Sequence, residues 1–196
     1  MRSIAPRILA LAASLLFVTA LAPGALAETT PGSHPMGTLL ATSMHVVRFD
    51  AAVAEEHGFS IITRNGIQMS VPTGQTDATP QNTVGGPCGT SYIYLTGSIL
   101  QYEYYTGFTV IAPAVDFGWS VSIVGPNFYD RTGNWGGTLK SARSWRAPGK
   151  GEYDIPVDDS GYYDGEVVSA ASFAILDNGE VCYSAGPSSR TYVNYP

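Results

Sequence analysis

The 196-residue chain combines few charges with many glycines, prolines and tyrosines: 13% of its residues are charged, and it holds 22 Gly, 13 Pro and 12 Tyr. This composition argues against a coiled coil or a helical bundle, which need more Leu, Glu, Lys and Arg. The 44% hydrophobic content argues against wholesale disorder. A net charge of −6 also argues against general nucleic-acid binding, because neutralising phosphates requires a basic surface.

The first 27 residues have the organisation of a secretory signal peptide. Arg2 and Arg7 form a basic start, residues 8–18 are apolar, and an A-x-A cleavage site ends at Ala27. The apolar run is too short for a retained transmembrane helix. We therefore expect a secreted, extracellular protein of bacterial type with no membrane insertion.

The two cysteines of this exported chain predict one disulfide bond, Cys88 to Cys182. Neither cysteine lies in a C-x-x-C pair, which a redox-active dithiol normally has. The predicted role of the bond is therefore structural.

Composition divides the chain into unlike segments. All Tyr and Trp lie after residue 91, whereas all His lie before residue 58. We predict a signal peptide at 1–27, a disordered leader at 28–38, a short helix plus hairpin at 39–72, a Thr/Pro/Gln-rich linker at 73–84, and one β domain at 85–196.

The segment before the linker carries clear local signals. Asp50 is placed to cap a short helix, which Gly58 ends. The hairpin is centred on Asn65-Gly66, the dipeptide that best supplies the two positive φ angles of a type I′ turn.

The 85–196 segment alternates apolar and polar residues in short runs separated by Gly, Pro or Asn. In the clearest run Phe117, Trp119, Val121 and Ile123 share one face. A second run places Phe173 and Ile175 on one face. About eight such strands predict an all-β fold, with an antiparallel β-sandwich as the favoured architecture.

Two local resemblances accompany this pattern. Residues 159–163, Asp-Ser-Gly-Tyr-Tyr, resemble the D-x-G-x-Y corner of immunoglobulin-like domains, which implies a sandwich of that character with Trp119 in its core. The family's cysteine two residues past the tyrosine is Gly165 here. Residues 54–71 resemble uncharacterised small secreted proteins of high-GC Gram-positive bacteria, which implies export and no particular activity.

Known catalytic motifs are missing from the sequence: it contains no GxSxG, HExxH or P-loop pattern. Carboxylates do cluster between residues 152 and 166. Asp158, Asp159 and Asp164 could bind Ca²⁺, and a carboxylate pair there could hydrolyse a glycoside. An ordinary solvated turn explains the cluster better. We expect no cofactor, with Ca²⁺ as the one alternative, and favour a non-enzymatic protein.

Residues 126–150 interleave aromatic and basic side chains. Their candidate ligand-binding residues are Tyr129, Trp135, Arg143, Trp145 and Arg146. Exposed tryptophans beside arginines could stack on a sugar or anchor a protein partner. Alternatively, Trp135 caps the core, and the arginines lie along the solvent face.

These observations lead to three functional hypotheses. The first is a secreted non-catalytic binding protein for a glycan, possibly of the cell wall, or for a secreted or cell-surface protein. The second is a small secreted hydrolase that uses the 152–166 carboxylates. The third is a protease inhibitor or effector that presents Arg190 from an exposed loop at 184–191.

Overall fold

The computed structural model describes residues 40–75, 82–128, 130–147 and 155–196. These residues form eleven strands, one short α-helix and two 3₁₀ turns, at Pro126–Phe128 and Ser169–Ala171, so the all-β prediction is confirmed. The segments predicted as a signal peptide and a leader lie outside the described residues. The helix α1 spans Ala51–Glu56, and the strands are β1 Leu40–Phe49, β2 Phe59–Arg64, β3 Ile67–Pro72, β4 Pro87–Gly97, β5 Gln101–Val124, β6 Asp130–Arg146, β7 Ile155–Pro156, β8 Gly161–Val167, β9 Phe173–Leu176, β10 Glu180–Ser184 and β11 Ser188–Val193.

Five of these strands close into a barrel, where the sequence favoured two packed sheets. The pairing runs β5–β4–β1–β10–β9 and returns to β5. Closure depends on the 24-residue strand β5, whose first half pairs with β4 and whose middle pairs with β9. A register shift between Ala114 and Asp116 bends the strand there. The alternating pattern is the same for a sandwich and a barrel, so it could not reveal this closure.

The remaining strands extend the barrel along β5. β6 and β7 pair with β5, while β8 pairs with the end of β5 and carries β11 on its other edge. The backbone amide of Leu95 in β4 donates to the Ser189 hydroxyl in β11 at 3.1 Å, so β11 also contacts the barrel. The β2–β3 hairpin forms a separate two-stranded sheet.

The disulfide predicted from the sequence is present. Cys88 in β4 and Cys182 in β10 are both fully buried, with their Cα atoms 6.1 Å apart. Strand β1 pairs with both β4 and β10, so the bond joins the two strands that flank β1 on the inside of the barrel. Each half-cystine is part of the main hydrophobic core.

The local signals between residues 50 and 72 are confirmed. The Asp50 carboxylate accepts hydrogen bonds from the amides of Ala52 and Val53, both at 3.2 Å, and caps α1. In the hairpin turn Asn65 has φ 53° and Gly66 has φ 79°. Both angles are positive, as a type I′ turn requires.

Strand β1 is absent from the sequence interpretation, although it lies between β4 and β10 in the wall of the barrel. The sequence assigned residues 39–72 to a separate small unit, but β1 makes the first part of this segment a strand of the main sheet. Its outward side chains mix polar and apolar types, which obscures the alternation. The described residues belong to one compact unit, Ser33–Pro196. The predicted linker at 73–84 lies partly outside the described residues.

The sequence predicted the wrong inward-pointing side chains for β9. Phe173 and Ile175 are only partly buried, whereas Ala174 and Leu176 are fully buried. A 3₁₀ turn at Ser169–Ala171 separates β8 from β9, so the alternation does not continue across it.

The last tyrosine of the D-x-G-x-Y segment bonds back to its first residue. The buried Tyr163 hydroxyl donates to the Asp159 carbonyl at 3.2 Å, four residues upstream. Its ring packs at 5.3 Å from that of Tyr102. Trp119 lies in the core as predicted, and its indole N–H donates to the Thr106 hydroxyl at 2.8 Å. The motif thus fixes the corner at the start of β8, a strand that extends the five-stranded barrel.

Candidate functional site

The two tryptophans predicted to bind a ligand lie on the core-facing side of β6. The Trp145 ring lies 4.5 Å from Phe117 and 5.9 Å from Trp119, measured between ring centroids. Trp135 lies 5.9 Å from Trp145 and 6.4 Å from Tyr104. Both rings are partly buried and cover the main core. Core packing therefore accounts for both rings, and ligand binding by them stays a prediction.

The two arginines predicted to bind the ligand with these tryptophans lie on the protein surface. Arg143 and Arg146 are exposed, and Tyr129 lies outside the described residues. Arg146 pairs with Gly107 of β5, whereas Trp145 pairs with Phe108, so Arg146 and Trp145 lie on opposite faces of the sheet. The predicted cluster is therefore divided between the core and the outer surface.

On this outer surface Arg146 joins three tyrosines in a shallow cleft of about 340 Å³. Tyr92 and Tyr94 come from β4, Tyr105 comes from β5, and Arg146 comes from β6. The strand register brings them together: Tyr94 is directly opposite Tyr105, and Gly107 lies between Tyr92 and Arg146. We call these four residues the aromatic cleft.

The cleft side chains hold one another in place. The Arg146 guanidinium lies 4.7 Å from the centroid of the Tyr105 ring, a cation–π contact. The Tyr105 hydroxyl donates to the Glu103 carboxylate at 3.3 Å. The Tyr94 and Tyr105 rings lie 6.2 Å apart and tilt by 33°. These contacts fix the orientation of the rings before any ligand binds.

Gly107 keeps the middle of the cleft open. A Cβ atom at this position would clash with the Trp145 carbonyl oxygen and lie 2.8 Å from the Tyr92 hydroxyl. Only glycine therefore permits β5 and β6 to approach this closely beside Tyr92. The absence of a side chain here leaves the depression between Tyr92 and Arg146.

Burial raises the pKa of Tyr92 above its ordinary value, and the positive charge of Arg146 opposes this effect. Tyr92 therefore carries a neutral hydroxyl at physiological pH, which can both donate and accept a hydrogen bond. The cleft thus offers three aromatic faces, hydroxyl groups and one cation. Among the described residues that line it there is no carboxylate pair and no nucleophile paired with a base.

Two of the three residues predicted as Ca²⁺ ligands make hydrogen bonds within the protein, Asp164 through its carboxylate and Asp159 through its backbone carbonyl. Asp164 accepts two hydrogen bonds from Arg190, one from Nε and one from Nη2 at 2.9 Å. The Asp159 carbonyl accepts the Tyr163 hydroxyl. Over the described ranges, no three His, Cys, Asp or Glu side chains lie close enough together to hold a metal ion. Ca²⁺ binding by Asp158, Asp159 and Asp164 stays a prediction.

Arg190 does not lie in an exposed loop, contrary to our expectation for residues 184–191. It belongs to β11, opposite Asp164 of β8. Its side chain is held across the two strands by the Asp164 carboxylate, and protease inhibition through Arg190 stays a prediction.

Sequence reasoning identified only Arg146 among the cleft residues. A signal for the tyrosines was present, because Tyr92 and Tyr94 alternate with Ile93 and Leu95. Both aliphatic side chains are fully buried, so the strand also has an aromatic face that the core does not use. A strand that is apolar on both faces indicates either a second buried layer or a binding surface.

Comparison with known proteins assigns no family to this fold and cleft. No family model matches the chain. No curated protein and no solved structure matches it either.

Proposed function

We propose that the protein is an exported, non-catalytic binding protein that holds a glycan in the aromatic cleft. The observation that carries this proposal is the placement of Tyr92, Tyr94 and Tyr105 around a depression beside Arg146. Their rings remain outside the core, so the cleft is not needed to fill the barrel. The disulfide is compatible with an extracellular location.

The chemistry of the cleft suits a sugar. The C–H face of a pyranose ring packs on a flat aromatic ring, while its hydroxyls need donors and acceptors at the edge. Tyrosine provides both in one rigid side chain, with an apolar ring and a polar end. Arg146 adds several N–H groups, which donate hydrogen bonds to the oxygen atoms of the sugar hydroxyls. The open, shallow shape fits a segment of a polymer that continues beyond the cleft at both ends.

Export is the second part of the proposal. The basic start, apolar run and A-x-A site of residues 1–27 support it, as does the resemblance of residues 54–71 to small secreted proteins of high-GC Gram-positive bacteria. Among the described residues, no helix combines the length and the apolar character that crossing a membrane requires.

The proposal is tested by the retention of the purified protein on insoluble cellulose, chitin and peptidoglycan, with sugar release measured in the supernatant. The informative variant combines Tyr94→Ala and Tyr105→Ala. If each ring contributes about 1 kcal/mol, as aromatic contacts do, the double variant binds roughly 30-fold more weakly. Tyr195→Ala is the matched control, because Tyr195 is an exposed tyrosine outside the cleft.

A second pair of variants separates the cleft from the site predicted by sequence alone. Arg146→Ala is expected to weaken retention, whereas Arg143→Ala leaves it unchanged, although both arginines are exposed. Saturable binding that the double tyrosine variant retains in full would refute the cleft. Release of sugar would favour the hydrolase hypothesis. Retention on none of the three polymers would redirect the search to a secreted protein partner, which uses the same Tyr and Arg side chains.

A further inference from the structure

We propose that the outer face of β8 and β11 is a second contact surface for the glycan of the aromatic cleft, that this glycan is a neutral polysaccharide, and that one protein molecule cross-links polymer chains. This inference rests on the proposed function of the aromatic cleft. The new surface is built from Tyr162 and Tyr192, the Arg190–Asp164 pair and an adjoining polar groove. We call it the tyrosine platform.

The platform begins with two exposed tyrosines that are direct cross-strand partners. Tyr162 of β8 pairs with Tyr192 of β11, and their rings meet edge to face with centroids 5.2 Å apart. Tyr162 is 61% exposed and Tyr192 is 47% exposed. The neighbouring residues Tyr163 and Val193 point inward and are buried. The core therefore uses the other face of each strand, and neither Tyr162 nor Tyr192 is needed to fill it.

The charged pair beside the rings fixes the platform and neutralises it. Arg190 lies opposite Asp164 and donates to both of its carboxylate oxygens. The Arg190 guanidinium also lies 5.5 Å from the centroid of the Tyr162 ring. This arrangement orders the arginine against an aromatic face and leaves no net charge from the pair.

A polar groove of about 310 Å³ continues from Asp164. It is lined by Ser122 and Val124 of β5, Asp164, Gly165 and Glu166 of β8, and Ser188 of β11. The two serines offer hydroxyls, and the Glu166 carboxylate is exposed. Carboxylates accept hydrogen bonds only, so the groove suits a ligand rich in hydroxyl donors.

These features point to a neutral polysaccharide as the occupant. An anionic polymer is disfavoured, because the chain carries a net charge of −6 and the groove holds Glu166. The exposed tyrosine rings, which meet at 74°, offer apolar surface to the C–H groups of a sugar, and the carboxylate and hydroxyl acceptors beside them suit its hydroxyls. A second copy of this protein would bring Glu166 close to another acidic surface.

The platform and the aromatic cleft share no residue. The cleft uses β4, the first half of β5 and the end of β6, whereas the platform uses β8, β11 and the end of β5. Two separate sites on one rigid protein raise the retention on a polymer without changing the affinity for a short oligosaccharide at either site. They also allow one protein molecule to hold two chains.

The test compares two double variants, Tyr162→Ala with Tyr192→Ala and Tyr94→Ala with Tyr105→Ala, on suspended cellulose and chitin, which are neutral polysaccharides. Retention isotherms and the clumping of polymer particles are measured, with Tyr195→Ala as the control. We expect each double variant to lose at least 10-fold in retention on the polymer that the wild type binds, and to lose clumping. The Tyr162→Phe/Tyr192→Phe variant keeps both rings and is expected to retain most binding, and wild-type urea unfolding of the alanine variant excludes misfolding as the cause of its loss.

The outcomes separate this inference from the proposed function. If the platform variant is retained and clumps the particles as the wild type does, while the cleft variant loses retention, the platform is not a binding surface. The cleft is then supported as the binding site. If the cleft variant binds as the wild type does, the aromatic cleft does not bind the glycan, and the proposed function is refuted. If sedimentation shows that the wild type is a dimer and the platform variant is a monomer, the surface is a self-association interface and the inference is overturned.

Discussion

Removal of the Cys88–Cys182 bond is expected to cost the protein a large part of its stability. The bond joins residues 94 apart in sequence. In the chain-entropy model a closed loop of this length lowers the entropy of the unfolded chain enough to contribute about 4.6 kcal/mol at 25 °C. Small domains have unfolding free energies of about 5–15 kcal/mol. The fully buried position of both residues adds a packing contribution from the sulfur atoms.

The assay is urea unfolding at 25 °C followed by tryptophan fluorescence, which reports on the buried Trp119. Wild type refolded with reductant keeps both sulfur atoms and loses only the bond. The difference between its free energy of unfolding and that of the oxidised protein therefore measures the contribution of the crosslink. The Cys88→Ala/Cys182→Ala variant also loses the sulfur packing, so it should be less stable than the reduced wild type. The melting temperature should fall by roughly 10–20 °C when the bond is absent. Oxidised and reduced wild type within 1 kcal/mol of each other would refute the loop-closure reasoning.

Two further predictions concern single carboxylates. Glu180 is fully buried, and its carboxylate accepts a hydrogen bond from the Asn178 side-chain amide at 2.9 Å. Burial raises the pKa of Glu180, so its contribution to stability is complete below the unfolded-state value near 4.5 and is lost as the pH rises through the folded-state value. Wild type should therefore lose stability relative to Glu180→Gln in urea unfolding as the pH rises above 4.5, and parallel pH profiles for the two proteins would contradict this assignment. Asp50→Ala removes both capping bonds of α1 and should cost about 1 kcal/mol in the same assay, whereas Asp50→Asn should cost much less; equal losses in the two variants would argue against the cap.

The candidate site was less predictable from the sequence than the fold. Arg146 was identified because it lies in a segment rich in basic and aromatic residues, but Trp135 and Trp145 of the same segment turned out to pack on the core. A strand places successive side chains on opposite faces, so neighbours in sequence such as Trp145 and Arg146 do not share a site. The cleft instead joins residues from three strands, and its members meet through the pairing of Tyr94 with Tyr105 and of Gly107 with Arg146.

The sequence by itself determined the features that depend on a few adjacent residues or on simple counting. The cap at Asp50, the Asn65-Gly66 turn and the inward face of Phe117–Ile123 are local preferences, and two cysteines allow only one intramolecular pairing. The tertiary structure alone decided the closure of the barrel around β5, the inclusion of β1 and the facing of β9. These features depend on which distant strands pair and in which register, and a one-residue change of register exchanges the two faces of a strand. The aromatic cleft and the tyrosine platform both depend on such pairings, so neither could be predicted from the sequence alone.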